Sequence, residues 1–306
     1  MEKAIKIAAI LITVSYILLG CGDSGSKSKS QQGRVFTDSL KRKVTVPQTV
    51  KRVVSLAPNV TEMLFAIGLK DETVGVTDFC DYPPAALEKP RIGGYYNPNI
   101  EAILSLNPDL VVATPDGYSK ERVEKLDQAG ISVFLVNPQK VGDVLETMLT
   151  LGKVTGREDA AKQVVQALRA RVQVVEKEVD SIPEEKRAKV FYEIGQDPLI
   201  TAGPGNFVDN LIKAAGGTNI ASDAASDWPQ YSVEAVIMKE PDVIITAPHV
   251  SSGESTPTEP SIWRKYETIP AVKNGRIYQV NPDILLRAGP RIVDGLEELH
   301  RLFTGD

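Results

Sequence analysis

Residues 100–115, IEAILSLNPDLVVATP, return in altered form as residues 233–248, VEAVIMKEPDVIITAP. Each copy predicts the same three pieces in the same order: a helix, a Pro-Asp turn and a short β-branched strand of the kind that is buried on both faces. A pattern of this length that occurs twice in one chain indicates one αβ unit built twice. We therefore predict an α/β fold with two similar lobes, each around a parallel-type sheet, and a ligand cleft between the lobes.

The segment between the copies predicts how the lobes are joined. Strands that alternate with helices predict a first lobe over residues 34–139 and a second over residues 188–306. Residues 158–182 carry apolar side chains every three or four positions among Lys, Arg, Glu and Gln. This spacing predicts one amphipathic helix about 36 Å long. We expect residues 140–187 to form a linking helical segment whose long helix is the backbone strut between the lobes.

The N-terminus predicts export and anchoring. An apolar run over residues 7–19 follows a basic start and is too short to span a bilayer, so residues 1–20 are predicted as a signal peptide. The tetrapeptide LLGC at 18–21 resembles the lipobox of bacterial lipoproteins. That resemblance implies that the signal is removed and that Cys21 becomes lipidated, with residues 21–33 as a flexible tether. The expected location is the periplasm or the cell surface, and an ordinary signal peptide or uncleaved anchor is the alternative.

Composition and missing motifs limit the classes of function. The net charge of the 306 residues is −5 and no basic stripe is visible, which argues against a nucleic-acid partner. No nucleophile elbow, P-loop or zinc-protease motif occurs, so no enzyme is predicted. The two histidines, His249 and His300, are too few for a zinc or manganese site, and we expect no metal and no cofactor. Cys80 is expected to be a buried thiol rather than a metal ligand.

One local pattern concerns the start of the first helix of the first lobe. RVVSL at 52–56 predicts a buried strand, and Asn59 with Glu62 three residues later has the form of a capping box. We therefore predict a helix over residues 60–67 and assign Glu62 to capping.

Several stretches together resemble the helical-backbone class of substrate-binding proteins of ABC importers and lean toward its cobalamin-binding branch. They are RVVSLAPNVTEMLFAIGL from residue 52, VGVTDFCDYPPAA from 74, NPNIEAILSLNPDLVVA from 97, DWPQYSVEAVIMKEPDVIIT from 227, AVKNGRIYQV from 271 and LLRAGPRIVDGLEEL from 286. The resemblance implies a monomeric protein that captures cobalamin or a related corrinoid and delivers it to an ABC permease dimer with its ATPase subunits. A ferric siderophore or haem is the alternative ligand, and a surface adhesin or an unrecognised enzyme is the alternative outside transport.

Carried over position by position, the resemblance implies an aromatic lining for the cleft. It places aromatic ligand contacts at Phe79, Tyr95 and Trp228, whose faces would cover a flat macrocycle. For Phe79 and Tyr95, a place in the lobe core is the alternative. The position after the first repeat strand, where the family can place a further aromatic, is Thr114 here, which thins one wall of the expected pocket.

The same resemblance implies polar ligand contacts in the second lobe. Asp283 and Arg287 would hydrogen-bond the ligand's amides or its nucleotide loop, although Arg287 could instead be a salt-bridge residue. His249 follows the second repeat strand, where the carboxyl end should face the cleft, and could approach cobalt or haem iron from one side. A residue at the cleft rim without a ligand role is the alternative for His249.

Each repeat copy also carries a glutamate at the same place, Glu101 and Glu234. In the family these positions hold carboxylates that meet arginines of the paired permease subunits, and the guanidinium fork suits a carboxylate. The alternative is that each glutamate only stabilises the first turn of its helix through the macrodipole.

Overall fold

The computed structural model describes residues 33–117, 119–247 and 262–305, and the account below is limited to them. The first lobe begins with an antiparallel hairpin and continues with a four-stranded parallel sheet of order β4–β3–β5–β6. Its strands are β1 (Arg34–Thr37), β2 (Lys43–Val46), β3 (Val53–Ser55), β4 (Thr73–Val76), β5 (Leu110–Ala113) and β6 (Ser132–Leu135). Its helices are α1 (Pro58–Ala66), α2 (Ile100–Ser105) and α3 (Lys120–Gln128).

Two helices lead from the first lobe to the second. They are α4 (Val141–Thr155) and α5 (Glu158–Asp180), and α5 confirms the predicted long helix. Gly152 lets the pair pack closely, because a Cβ at that position would lie 2.5 Å from the Cβ of Ala161. The strut is therefore a helical hairpin, in which α4 braces the long helix.

The second lobe repeats the topology of the first. Its parallel sheet has the order β10–β7–β11–β12, so in both sheets the strand that comes first in the chain lies second from one edge. Its strands are β7 (Lys189–Glu193), β8 (Gly195–Gln196), β9 (Leu199–Ile200), β10 (Thr218–Asn219), β11 (Val243–Thr246) and β12 (Ile277–Gln279). Its helices are α6 (Phe207–Ala214), α7 (Val233–Lys239), α8 (Pro270–Lys273), α9 (Asp283–Leu286) and α10 (Ile292–Thr304). The predicted fold class is confirmed, while the lobe boundaries at residues 139 and 188 stay predictions.

The sequence repeat occupies equivalent places in the two lobes. It forms α2 with β5 and α7 with β11, and each strand is third in its sheet. Asn99 caps α2 by accepting a hydrogen bond from the backbone N–H of Ala102 at 3.0 Å, and Ser232 caps α7 through that of Ala235 at 3.1 Å. Matching helix starts explain why Glu101 and Glu234 hold the same position in their helices.

The Pro-Asp turn of each copy fastens the first strand of its own sheet. The Asp109 carboxylate accepts hydrogen bonds from the backbone N–H groups of Lys51 and Arg52 at 2.7 and 2.9 Å. Asp242 accepts the N–H of Lys189 at 2.8 Å in the second lobe. The repeated aspartate thus ties the strand of the repeat to its neighbour, which is a structural reason for its presence in both copies.

One apolar core runs through both lobes of the described chain. Its buried members include Val53 and Leu110 of the first sheet, Met148 of α4, Val175 of α5 and Tyr192 of the second sheet. Two smaller clusters cover the other faces of the sheets. Within the described ranges, none of the helices combines the length and apolar character needed to cross a membrane.

Candidate ligand-binding cleft

Helix α1 begins earlier than the sequence predicts. Pro58 is its first residue and Ala57 its N-cap, with no side-chain capping bond. Proline suits this position because its φ angle is already helical and it has no N–H to satisfy. The predicted roles of Asn59 as cap and Glu62 as capping partner are therefore wrong. The earlier start places Glu62 in the middle of the helix, where it is 2% exposed.

Glu62 belongs to a group of five charged residues that joins the two lobes. We call this group the interlobe ion cluster; its members are Glu62 and Asp81 of the first lobe and Asp283, Arg287 and Arg291 of the second. Asp81 follows β4, while the other lobe contributes α9 and the start of α10. The two lobes approach closely at this cluster. A Cβ added to Gly289 of the second lobe would lie only 3.2 Å from Oε2 of Glu62 in the first.

Arg291 makes the most buried contacts of the interlobe ion cluster. Its Nη2 and Nε donate to the two carboxylate oxygens of Glu62 at 2.6 and 3.0 Å, a bidentate pair. The guanidinium carbon also lies 3.9 Å from the ring centroid of Tyr82, within cation–π range. Burial raises the pKa of Glu62, since desolvation outweighs the hydrogen bond and charge of Arg291. Arg291 is thus fixed between two residues of the first lobe.

Arg287 lies beside this pair and is held from two sides. Its Nη1 donates to Oδ1 of Asp81 at 2.5 Å, and its Nε lies 3.0 Å from Oδ1 of Asp283. Oε1 of Glu62 is 3.8 Å from Nη1. Partial burial alone would raise the pKa of Asp81, but the hydrogen bond and charge of Arg287 lower it below the ordinary value. The predicted ligand contacts Asp283 and Arg287 therefore lie together, and Arg287 makes salt bridges as well.

The first lobe presents aromatic side chains after β4 and near residue 95. Phe79 is 48% exposed, so its side chain is not part of the core, and Tyr82 of the same loop is also exposed. Tyr95 packs partly against the main core, and its ring meets that of Tyr96 edge-on at 4.7 Å. Tyr96 is the more exposed of the two rings. Tyr82 and Tyr96 are exposed aromatic side chains that the sequence analysis did not name as candidate ligand contacts, although both are visible in the DYPP and YY stretches.

Thr114, which follows β5, contacts Tyr95. Its side chain is buried, and its Oγ1 lies 2.7 Å from the hydroxyl of Tyr95. Tyr95 and Thr114 therefore contact each other at the end of β5, while the thinner pocket wall that the sequence predicts at Thr114 stays a prediction.

Trp228 stands on a tightly held loop of the second lobe. The carbonyl of Asp227 accepts hydrogen bonds from the Gly203 N–H at 2.8 Å and from Nδ2 of Asn206 at 2.5 Å. A Cβ on Gly203 would lie 1.8 Å from the carbonyl oxygen of Ser226, so only glycine fits. Trp228 is 43% exposed at the end of this fixed turn. These hydrogen bonds hold the loop that presents the Trp228 indole at the surface of the second lobe.

Other predicted positions fall outside this group or outside the described chain. Glu101 and Glu234 are exposed in the first turns of α2 and α7. His249 and Cys21 lie outside the described residues. Cys80 is buried, and burial raises the pKa of its thiol. In the parts of the chain that the structure describes, no three His, Cys, Asp or Glu side chains are grouped to hold a metal ion.

Comparison with known families agrees with this architecture. Residues 53–284 match the periplasmic binding protein family, and the chain belongs to that family. It is a substrate-binding protein of an ABC transporter, as the sequence resemblance predicts. Proteins of this kind bind small ligands outside the cytoplasm and interact with permease and ATPase components.

Three relatives show the range of the family. The chain is 32% identical to the uncharacterised ABC transporter substrate-binding lipoprotein YvrC of Bacillus subtilis, over 98% of this chain and 96% of that one. The structure of the periplasmic vitamin B12 binding protein BtuF of Vibrio cholerae matches with a TM-score of 0.72 and 30% identity, covering 83% of this chain and 97% of that one. The periplasmic heme-binding protein RhuT of Roseiflexus matches with a TM-score of 0.72 and 27% identity, covering 83% and 98%.

Proposed function

We propose that this protein captures cobalamin or a related corrinoid between its lobes and delivers it to an ABC permease dimer. The observation that carries the proposal is the exposure of aromatic side chains, Phe79 in the first lobe and Trp228 in the second, on loops that the fold holds in place. Aromatic faces that cover a corrin ring could bury about 300 Å² of apolar surface, which gives roughly 7 kcal/mol before association costs. Likeness to a vitamin B12 binding protein over most of the chain supports the same ligand.

The proposed ligand contacts are those that the sequence resemblance implies. Phe79, Tyr95 and Trp228 would cover the macrocycle, while Asp283 and Arg287 would meet its polar groups. His249 stays a predicted contact on the second lobe.

Titration of the purified protein with cyanocobalamin tests the ligand. We expect a dissociation constant in the micromolar range or tighter, and a loss of at least about tenfold in Trp228→Ala because one aromatic face is removed. Val174→Ala is the matched control, since Val174 is an exposed apolar side chain on α5. Unchanged affinity in Trp228→Ala would show that the indole does not contact the ligand. The absence of any cyanocobalamin binding to the wild type would contradict the proposal that the ligand is a corrinoid.

A ferric siderophore or haem is the second candidate, because the chain also resembles a heme-binding protein. The visible spectrum of protein purified from cells separates the candidates. A bound corrinoid gives red colour, and haem gives a Soret band. A Soret band together with no cyanocobalamin binding would replace the first proposal by the second.

We further propose that Glu101 and Glu234 dock the protein onto the two permease subunits. Their exposure and equivalent positions in α2 and α7 support this role. We expect the double variant Glu101→Ala with Glu234→Ala to impair uptake in cells while ligand affinity stays within about twofold. Glu146→Ala, which removes an exposed carboxylate of α4, is the control. Loss of ligand affinity in the double variant would place the carboxylates in the pocket or the fold instead.

We also propose that lipid on Cys21 holds a monomeric protein at the membrane surface, with residues 21–33 as its tether. The lipoprotein relative supports this anchoring. The intact mass of wild-type and Cys21→Ser protein extracted from cell membranes tests it. The wild type should begin at Cys21 and carry the added mass of acyl chains, and the variant should carry no acyl chains; a wild-type mass without acyl chains contradicts lipidation.

A further inference from the structure

The interlobe ion cluster has more negative than positive charge. It contains three carboxylates, Glu62, Asp81 and Asp283, and two guanidinium groups, Arg287 and Arg291. Counting one charge for each group gives a net charge of −1. Neither guanidinium group is available to an anionic ligand without a change of partner, because each already contacts carboxylates of the protein at 2.5–3.0 Å.

Of the two arginines, Arg287 is the one that a ligand can reach by displacing an exposed carboxylate. Its Asp81 partner belongs to an exposed loop, whereas the Glu62 partner of Arg291 is buried in α1. The loop of Asp81 also carries Phe79, two residues away, which is a proposed contact of the macrocycle. Because Asp81 pairs with Arg287 and lies two residues from Phe79, we expect a side arm of a ligand on Phe79 to meet this ion pair.

Whether the Asp81–Arg287 ion pair is kept depends on whether the side arm of the ligand ends in a carboxylate or in a carboxamide. A carboxylate arm can bind Arg287 only by replacing Asp81, and it would then lie close to Asp283 and Glu62, two negative charges at 3.0 and 3.8 Å from the same guanidinium. A carboxamide arm can donate its N–H to Asp81 and accept from Arg287, so the ion pair is kept. Displacing a charge-assisted pair to form an equivalent one brings no gain in hydrogen bonding.

We propose that Asp81 is a specificity-determining residue that makes the cleft favour macrocycles with carboxamide side arms over those with carboxylate side arms. This inference rests on the proposed corrinoid function. Asp81 acts by occupying Arg287, so removing its charge frees the guanidinium for an anionic arm.

The test compares two corrinoids that share one ring and differ in the arms. Dicyanocobinamide carries carboxamides, and dicyanocobyrinic acid carries free carboxylates. We expect wild-type protein to bind dicyanocobinamide more tightly by at least about tenfold. Asp81→Asn and Asp81→Ala should reduce this preference about tenfold, mainly through tighter binding of the carboxylate form.

Asp78→Asn is the matched control, because it removes one negative charge from an exposed position three residues away. We expect it to change the preference by less than about threefold, since an exposed charge is screened by solvent and salt. Circular dichroism and melting curves confirm that the variants are folded. An unchanged preference in both Asp81 variants overturns the inference, as does an equal change in Asp78→Asn.

Two results on the wild type separate this inference from the function on which it rests. Equal affinity for both corrinoids overturns the role of Asp81 and leaves the corrinoid function standing. Binding of neither corrinoid overturns the corrinoid function, and the role of Asp81 falls with it.

Discussion

Replacing Glu62 by alanine removes the buried carboxylate that joins α1 of the first lobe to Arg291 of the second. The Glu62 side chain is 1% exposed and that of Arg291 13%, so the arginine would keep its charge with little water to solvate it. Removing one partner of a buried pair costs about 3–5 kcal/mol. We expect about 3 kcal/mol, at the lower end, because Arg291 retains its contact with the ring of Tyr82.

Glu62→Gln separates the effect of charge from that of shape. Glutamine keeps an acceptor for Arg291 but loses the negative charge. Because burial raises the pKa of Glu62, the neutral side chain is less costly to bury than the ionised one. We therefore expect a loss of only about 1 kcal/mol in this variant.

Urea denaturation followed by circular dichroism measures both effects at neutral pH. The double-mutant cycle with Arg291→Ala should give a coupling of about 2 kcal/mol between the two side chains. The control is Glu146→Ala, which breaks an exposed ion pair with Arg169 and should cost less than about 1 kcal/mol. A loss below about 1 kcal/mol in Glu62→Ala, or a coupling near zero, would refute the reasoning that this pair fastens the lobes together.

Glu240 has a φ of 49°, in the left-handed region that glycine adopts without strain. We therefore expect Glu240→Gly to raise the free energy of unfolding, measured by urea denaturation, by about 0.5–1 kcal/mol. A lower free energy of unfolding would mean that the contacts of the Glu240 side chain contribute more than the backbone strain costs. Asp109→Ala removes two backbone hydrogen bonds and Asp242→Ala one, so we expect losses of about 2 and 1 kcal/mol, and the reverse order would contradict this account. Burial alone would raise the pKa of Asp209, but the hydrogen bond from Lys213 and its other partners lower it below 3.8. The ionised Asp209 carboxylate therefore stabilises the fold at pH values above its ordinary pKa, and this stabilisation is lost as the pH falls and the carboxylate is protonated. We expect Asp209→Asn to flatten the fall in the free energy of unfolding that acid titration measures below about pH 4.

The sequence repeat was sufficient to predict the equivalent parts of the two lobes. Its information is local, because a helix start, a turn and a buried strand follow one another within sixteen residues. The structure adds why the turn aspartates are repeated. Asp109 and Asp242 bind backbone groups more than fifty positions earlier in the chain, and these partners could not be identified from the repeat itself.

The start of α1 shows where local reasoning fails. Asn59 and Glu62 have the spacing of a capping box, but Pro58 can begin the helix without a cap. The true partner of Glu62 is Arg291, 229 residues later, and only the docking of the two lobes brings them together. A buried carboxylate of this kind carries no local signal, since a glutamate in a helix is ordinary in sequence.

The family resemblance predicted Arg287 as a ligand contact and gave no indication of its partner. Asp81 lies in the quoted DYPP stretch, so the residue itself was visible in the sequence. Its pairing with Arg287 depends on the approach of α9 to the loop after β4. The resemblance thus indicated a candidate residue, whereas the carboxylate that pairs with it could be identified only in the folded chain.

The apolar core that passes from the first sheet through α4 and α5 into the second has a consequence for how the protein melts. Neither sheet can lose its inner face without exposing apolar surface of the other, so the lobes should unfold as one cooperative unit. A ligand that binds only the folded state then raises a single melting temperature, whichever lobe supplies most of the contacts. Thermal shift is accordingly a direct way to search corrinoids, siderophores and haem for the ligand of this protein.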